Sequence, residues 1–204
     1  MSSGFASDPH TEAGSDCPKN YFGIPSYEQL QNVERSFGIR RAAQLEDRDI
    51  TGCFDSSHLK AIHKFLFQDV FPWAGEFRVV NIYKGESPFA QPFHIQSALT
   101  EVLSKLPLER SLRDLSTQGF ARRAAFYLGE INAIHPFREG NGRTQREFIR
   151  QLAVQAGHPL SWQGFTQRQM VDASVASHLR GNYDLLAAII EASLASSRGR
   201  TPKS

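Results

Sequence analysis

The segment 117–134, TQGFARRAAFYLGEINAI, constrains the fold more than any other part of the sequence. Its pattern is helical, and its apolar residues cover most of the helical circumference instead of a single face. A helix of this kind has to be covered by neighbours on several sides. We therefore predict a central helix surrounded by other helices.

The rest of the chain can supply those neighbours. Segments 26–46 and 55–71 have amphipathic spacing, and each begins at a residue suited to cap a helix, Ser26 or Asp55. A different pattern occurs at 77–91, where Val, Ile, Tyr and Phe surround a Lys-Gly-Glu-Ser turn, which predicts a short β-hairpin. The expected fold class is all-α with one small hairpin. Further helical segments are predicted at 94–106, 142–156, 166–178 and 182–196.

The length of 204 residues, with 40% hydrophobic and 22% charged residues, suits one globular domain. The first twenty residues are rich in Ser, Gly, Asp and Pro and lack an apolar period. We expect residues 1–25 and 197–204 to be disordered tails that flank a domain at 26–196.

Charge and cysteine content point to a cytoplasmic protein. The net charge of +2 is too small to indicate a nucleic-acid-binding protein. Cys17 and Cys53 form neither a disulfide framework nor a metal-ligand spacing, which is typical of a reducing compartment. No Sec-type signal peptide and no apolar run of membrane-spanning length are present. The Ser-rich leader leaves specialised secretion open as an alternative.

The stretch HPFREGNGRTQR, residues 135–146, directly follows the predicted central helix. Its glycines permit positive φ and let the backbone approach a ligand closely. A Gly140-Asn141-Gly142 turn that leads into a helix can direct backbone N–H groups at an anion and add the positive end of the helix dipole. This loop is therefore predicted to bind phosphate groups.

The charged residues of the stretch fit a polyphosphate ligand. Arg143 and Arg146 lie on one face of the next helix, near its N-terminus, where positive charge is unfavourable unless an anion is bound. Glu139 fits an anion site if Mg²⁺ lies between its carboxylate and the phosphates. His135, with an ordinary pKa near ~6.5, could remove a proton from a hydroxyl group.

This stretch resembles the signature of Fic-domain proteins, H-x-F-x-[DE]-G-N-G-R-x-x-R, at every defined position. The segments FQDVFPWAGEFR at 67–78, VNIYKGESPF at 80–89 and AGHPLSWQG at 156–164 are also similar to that family. The resemblance covers about 26–196 and is closest to the stand-alone bacterial toxins. It implies an all-helical Fic fold with a β-hairpin flap.

The resemblance also implies an activity, the transfer of AMP from ATP to a Tyr, Ser or Thr hydroxyl of a target protein. By this analogy His135 is the general base and Glu139 holds Mg²⁺. The backbone of 140–142, the Asn141 side chain and Arg143 bind the phosphates, and Arg146 binds the γ-phosphate.

Two further sites follow from the resemblance. The hairpin around Tyr83, Lys84 and Gly85 is expected to clamp the target as an added strand, and the alternative is a plain surface hairpin. Asn182 and Tyr183 are expected to border the adenosine pocket. His58 and His63, in contrast, are interpreted as ordinary helix residues.

Many family members carry an inhibitory helix with the pattern [ST]-x-x-x-E-[GN], which this sequence lacks. The resemblance therefore implies a small separate antitoxin whose glutamate binds near Arg146. It also implies a target, the ATPase subunits of type II topoisomerases (DNA gyrase and topoisomerase IV), and no direct binding of nucleic acid or membrane.

Several alternatives remain at this stage. One is a secreted effector that modifies host GTPases. Another is a transferase for UMP, phosphocholine or phosphate, although the intact Gly142 favours AMP. A third is a catalytically inactive nucleotide-binding module, which would not need His135. A basic helix-loop-helix DNA-binding protein is disfavoured by the low charge and the glycine loop.

Overall fold

The computed structural model describes residues 8–12, 14–84 and 87–198, and this part of the chain is mainly helical, as predicted. Two short 3₁₀ turns, Pro92–His94 and Arg110–Leu112, join longer elements. The α-helices are α1 (Tyr27–Asp47), α2 (Ser56–Phe67), α3 (Ile95–Leu103), α4 (Lys105–Leu108), α5 (Thr117–Ile134), α6 (Asn141–Gln155), α7 (Gln167–Arg180) and α8 (Asp184–Arg198).

The helix starts follow the capping residues in the sequence. The side chains of Ser26 and Asp55 each accept a backbone N–H bond in the first turn, at α1 and α2. Thr166 and Gln169 form a reciprocal capping box at α7. Helix α2 ends at Phe67, four residues before the predicted end, because residues 68–70 form a turn that leads to Pro72.

Helix α5 is the central helix that the apolar pattern predicts. It packs against α3, α6, α7 and α8, and Phe120, Ala124, Tyr127 and Ile131 have no exposed surface. Protein neighbours cover this helix on several sides. Within the described ranges, none of the helices combines the length and apolar character needed to cross a membrane.

The predicted hairpin is present but short. Strand β1 (Tyr83–Lys84) pairs antiparallel with β2 (Ser87–Pro88), with Tyr83 opposite Pro88. One further backbone bond, from the Phe89 N–H to the Ile82 carbonyl at 3.2 Å, extends the pairing. Residues 77–82 and 89–91 have no regular secondary structure. They are tied to the end of α5 and the residues after it by bonds from the Arg78 N–H to the Pro136 carbonyl and from the Ala90 N–H to the Ala133 carbonyl.

The prediction of a disordered tail at 1–25 is wrong for residues 8–12 and 14–25, which we call the N-terminal strap. His10 stacks on Trp73 with 5.2 Å between ring centroids, and the Trp73 indole N–H donates to the Lys19 carbonyl at 3.1 Å. Cys17 is almost fully buried. The strap is irregular, so it has no hydrophobic period for sequence analysis to detect.

The chain end differs less from expectation. Helix α8 continues to Arg198, two residues into the predicted tail at 197–204, and residues 199–204 lie outside the described part.

The burial of α6 predicts a large effect of truncating Leu152, which has no exposed surface. Leu152→Ala should lower the free energy of unfolding by about 2–5 kcal/mol, because the substitution removes buried methyl groups and leaves a cavity. Leu108→Ala is the matched control, since Leu108 is 84% exposed, and its effect should stay within about 0.5 kcal/mol. Urea unfolding measures both, and equal effects would contradict this packing.

Candidate active site

Some of the predicted motif residues meet at one cavity of about 980 Å³, which Glu139, Gly140 and Asn141 do not line. Its volume is at the upper end of the size range of small-molecule pockets, about 300–1,000 Å³. Helices α1, α5, α6 and α7 contribute to its walls. Four motif residues line it: His135, Gly142, Arg143 and Arg146. Its other walls include Gln31, Glu34, Arg35, Leu128, Asn132, Gln145, Trp162, Phe165, Gln167, Met170, Val171 and Ser174.

His135 lies at the point where α5 ends. It adopts a left-handed backbone conformation, with φ of 50°, and its N–H still bonds to the Ile131 carbonyl. The ring stacks on Phe89 at 4.0 Å between centroids, and Nδ1 is 3.3 Å from the Asn132 carbonyl oxygen. A carbonyl only accepts, so this bond places the proton on Nδ1 and makes Nε2 the basic nitrogen of a neutral ring.

A buried arginine, Arg78, fixes this helix end. Its guanidinium is bonded to backbone carbonyls: His135 and Val80 at 2.7 Å, Ala90 at 2.5 Å and Ile134 at 3.1 Å. Arg78 is 1% exposed, and burial lowers its pKa to about 10. The carbonyls at a helix C-terminus carry partial negative charge, so they suit a cation. The sequence pattern does not reveal this role, because a single Arg beside a hairpin is typical of a surface residue.

The glycine loop is shaped by a close contact and a side-chain clamp. Gly140 has φ of +77°, and a Cβ there would lie 2.4 Å from the Phe67 ring, so only glycine fits. Asn141 is buried; its Oδ1 accepts the Phe137 N–H at 2.9 Å and its Nδ2 donates to the Phe137 carbonyl at 2.7 Å. The Asn141 side chain thus closes the loop, and its predicted contact with phosphate, which the second Nδ2 hydrogen could make, stays a prediction. The unpaired N–H groups of the first turn of α6 remain suited to an anion.

His63 supports the same loop from α2. Its Nδ1 accepts the Gly75 N–H at 2.8 Å, so Nε2 carries the proton and donates to the Glu139 carbonyl at 3.0 Å. The ring stacks on Phe137 with 3.9 Å between centroids. Burial lowers the pKa of His63 to about 3, so the ring is neutral. The interpretation of His63 as an ordinary helix residue is wrong, because the contacts that define its role come from distant segments.

The Glu139 carboxylate is held on one side only. The Tyr27 hydroxyl donates to Oε1 at 2.9 Å, and Arg138 Nη1 lies 3.5 Å from the same atom. Burial raises the pKa of Glu139, and the Tyr27 bond opposes that shift. Oε2 has no hydrogen bond among the described residues.

This carboxylate fits a magnesium ion that is shared with a ligand. Within 8–12, 14–84 and 87–198, no group of three or more His, Cys, Asp or Glu side chains could hold a metal by itself. Mg²⁺ commonly takes one or two protein carboxylates and completes its shell with phosphate oxygens and water. Glu139 could therefore hold Mg²⁺ together with a bound nucleotide.

The two motif arginines differ in their surroundings. Arg143 makes a bidentate ion pair with Glu34 of α1, with Nη2 to Oε2 at 2.6 Å, and lies over the Phe67 ring. Across the described residues, no carboxylate pairs with the Arg146 guanidinium, whose pKa is lowered by burial and by Arg143. Glu34 thus pairs with Arg143, whereas the Arg146 guanidinium remains available to a ligand in the cavity. Glu34 is a site residue that the sequence motif does not contain.

The predicted target-binding flap is partly described. Tyr83 is 61% exposed and lines a groove of about 570 Å³. Lys84 follows it in β1. Gly85 lies outside the described residues. Target binding by these residues stays a prediction.

The predicted adenosine-pocket residues do not reach the main cavity. Asn182 and Tyr183 line a separate cavity of about 540 Å³, and the Tyr183 hydroxyl donates to Glu130 at 2.5 Å. The turn between α7 and α8 faces a different side of α5 from the main cavity, and adenosine binding by these two residues stays a prediction. Apolar walls of the main cavity are instead provided by Trp162, Phe165, Met170 and Val171.

Comparisons with known proteins show the family to which this chain belongs. The model of the Fic/DOC family matches residues 53–153. The chain is 38% identical over 157 residues to a probable protein adenylyltransferase Fic of Escherichia coli, covering 77% of this chain and 78% of that protein. It is 43% identical over 189 residues to the protein adenylyltransferase VbhT of Bartonella schoenbuchensis, covering 93% of this chain but 39% of VbhT.

A solved structure extends the likeness to three dimensions. The Bartonella tribocorum BepC protein, a VirB-translocated effector with bound AMPPNP, aligns with a TM-score of 0.82 and 27% identity, over 90% of this chain and 95% of that one. Sequence and fold together show that this chain belongs to the Fic/DOC family.

The buried, neutral His63 predicts a pH dependence of folding. Its pKa rises from about 3 in the folded state to 6.5 on unfolding, so the unfolded chain binds an extra proton below pH 6.5. The free energy of unfolding should then fall as the pH drops from 6.5 toward 3, by up to about 1.4 kcal/mol per pH unit from this group.

His63→Gln keeps a side-chain N–H donor but removes this titration. Urea unfolding between pH 6.5 and about 5 should therefore show a shallower slope for the variant than for the wild type. The exposed His94→Gln is the matched control and should keep the wild-type slope. A wild-type slope in His63→Gln would contradict the assignment of His63 as buried and neutral. Burial also lowers the pKa of His58, but His58 is present in all three proteins and contributes equally to their slopes.

Proposed function

We propose that this protein is a nucleotidyltransferase that transfers AMP from ATP to a hydroxyl side chain of a target protein. The observation that carries this proposal is the single cavity that brings together the His135 ring, both motif arginines and the start of α6. A base, cationic side chains and a helix N-terminus at one cavity are the groups that an in-line attack on a phosphate requires.

The chemistry assigns one role to each group. Nε2 of His135 takes the proton of the acceptor hydroxyl, whose oxygen attacks the α-phosphorus of ATP. The bond from that phosphorus to the bridging oxygen of the β-phosphate breaks, and pyrophosphate leaves. Negative charge grows on the phosphate oxygens, so donors fixed in place beforehand lower the barrier.

The remaining residues bind and orient the nucleotide. The α6 N-terminus and Arg143 face the phosphates, and Arg146, which has no carboxylate partner in the described ranges, takes the γ-phosphate. Glu139 would hold Mg²⁺, which when bound neutralises phosphate charge. The apolar wall that includes Trp162 and Phe165 suits the adenosine moiety.

We further propose that the enzyme acts in the cytoplasm as the toxin of a toxin–antitoxin pair and modifies topoisomerase ATPase subunits. Arg146 has no carboxylate partner among the described residues, and this supports a separate antitoxin, because a glutamate from a partner could bind there. Exposed Tyr83 in the hairpin supports a protein substrate. A secreted effector is the second candidate, favoured by the likeness to VirB-translocated Bartonella proteins.

Transfer of label from ATP tests the activity. Purified protein with Mg²⁺, α-labelled ATP and a bacterial lysate should label a protein band, and His135→Ala should reduce the label by at least about 100-fold, because a general base is lost. His94→Ala, which changes an exposed histidine, should label normally. Label from γ-labelled ATP would indicate phosphate transfer, and ATP binding without any label would indicate an inactive nucleotide-binding module.

Purified topoisomerase ATPase subunits test the proposed target. Incubation with the enzyme, Mg²⁺ and ATP should add the mass of one AMP group to a tyrosine peptide, detected by mass spectrometry. Gyrase reassembled from the modified subunit should then lack supercoiling activity. If lysate proteins are labelled while these subunits are not, the target is wrong but the transferase activity stands. Labelling of GTPases instead would favour the effector alternative.

A further inference from the structure

Two residues far from the motif in sequence converge on the Glu139 carboxylate. The first is Tyr27, in the first turn of α1, whose hydroxyl donates to Oε1 at 2.9 Å across a separation of 112 residues. Tyr27 is 40% exposed, so its ring contributes little to the core. The hydroxyl fixes one oxygen of the carboxylate and leaves Oε2 without a hydrogen bond from the described residues.

The second residue is Asp8 of the N-terminal strap, which acts on Glu139 through Arg138. Asp8 Oδ2 accepts from Arg138 Nε at 2.7 Å, whereas Arg138 Nη1 stays 3.5 Å from Glu139 Oε1. The Asp8 carboxylate is itself well held, by the Thr11 hydroxyl at 2.6 Å and the His10 N–H at 3.0 Å. Burial opposes its ionisation, but these bonds and Arg138 keep the pKa of Asp8 below its ordinary value.

The position of Arg138 decides how much negative charge Glu139 presents. Arg138 and Glu139 are neighbours in sequence, and a guanidinium without another partner would form a close ion pair with the adjacent carboxylate. Such a pair would neutralise Glu139 and compete with a cation. Asp8 binds the guanidinium through Nε at 2.7 Å, and the ion pair that remains between Arg138 Nη1 and Glu139 Oε1 is long, at 3.5 Å, so Oε2 stays available.

We propose that Tyr27 and Asp8 are positioning residues that set the Mg²⁺ affinity of the nucleotide site. Tyr27 orients the Glu139 carboxylate, and Asp8 limits how closely Arg138 approaches it. This inference rests on the proposed role of Glu139 as the magnesium ligand. Residues that orient a metal ligand without touching the metal commonly change metal affinity by about 10–100-fold when they are removed.

The test is the Mg²⁺ dependence of ATP binding, a measurement that does not require turnover. ATP affinity is measured by isothermal titration calorimetry in EDTA and at increasing Mg²⁺. The Mg²⁺ midpoint is the Mg²⁺ concentration at which half of the gain in ATP affinity is reached. Tyr27→Phe and Asp8→Asn should each raise this midpoint by about 10-fold, and their ATP affinity in EDTA should stay within twofold of wild type. The matched controls Tyr21→Phe and Asp16→Asn, which change exposed residues of the strap, should behave as wild type.

A double variant separates positioning from a general loss of structure. If Asp8 acts by holding Arg138, then Arg138→Gln should restore the Mg²⁺ midpoint of Asp8→Asn to near the wild-type value. Failure of that rescue overturns the role of Asp8. An unchanged Mg²⁺ midpoint in Tyr27→Phe, or equal weakening in EDTA and in Mg²⁺, overturns the role of Tyr27. If the wild type shows no Mg²⁺ dependence at all, the proposed role of Glu139 fails instead.

Discussion

The bonds from the Arg78 guanidinium to backbone carbonyls are the interaction on which the site depends. The C-terminal end of α5 and the two ends of the hairpin segment carry carbonyl groups with no helical or ladder partner, and burying them unpaired would be costly. One planar guanidinium satisfies several of them together. As a result, one side chain connects the His135 backbone, the hairpin segment and the end of α5. The imidazole that we propose as the general base and the proposed target-binding flap are therefore positioned by the same side chain.

The opposite end of the loop is fixed by an uncharged contact. His63 reaches the Glu139 carbonyl while its ring stacks on Phe137, and the Asn141 side chain closes the loop from within. The side chains that make these buried contacts, His63, Phe137 and Asn141, are all uncharged. The positive charges lie in the cavity wall. Arg143 forms an ion pair with Glu34, and Arg146 forms no ion pair with a carboxylate of the described residues. A polyanionic ligand is the natural complement of that arrangement.

Local sequence predicted the parts of the structure that arise from local physics. The helical periods, the caps at Ser26 and Asp55 and the apolar surface of α5 all depend on residues a few positions apart. The errors have the opposite origin. The strap at 8–12 and 14–25 has no period because its contacts are with Trp73, Val70 and Arg138. Asn182 and Tyr183 line a cavity separate from the main one, and nothing in the sequence tells which side of α5 the α7–α8 turn faces.

The sequence by itself determined the helical architecture, the hairpin and the family motif at 135–146. The motif could be recognised because its groups lie within twelve residues of one helix-loop-helix, where chain geometry alone brings them together. Only the tertiary structure decided which groups hold the motif residues in place. Arg78, His63, Glu34, Tyr27 and Asp8 come from segments 57 to 130 residues away from their partners. The contacts of these five residues arise from how the helices pack. A sequence pattern, which relates residues only a few positions apart, does not predict them.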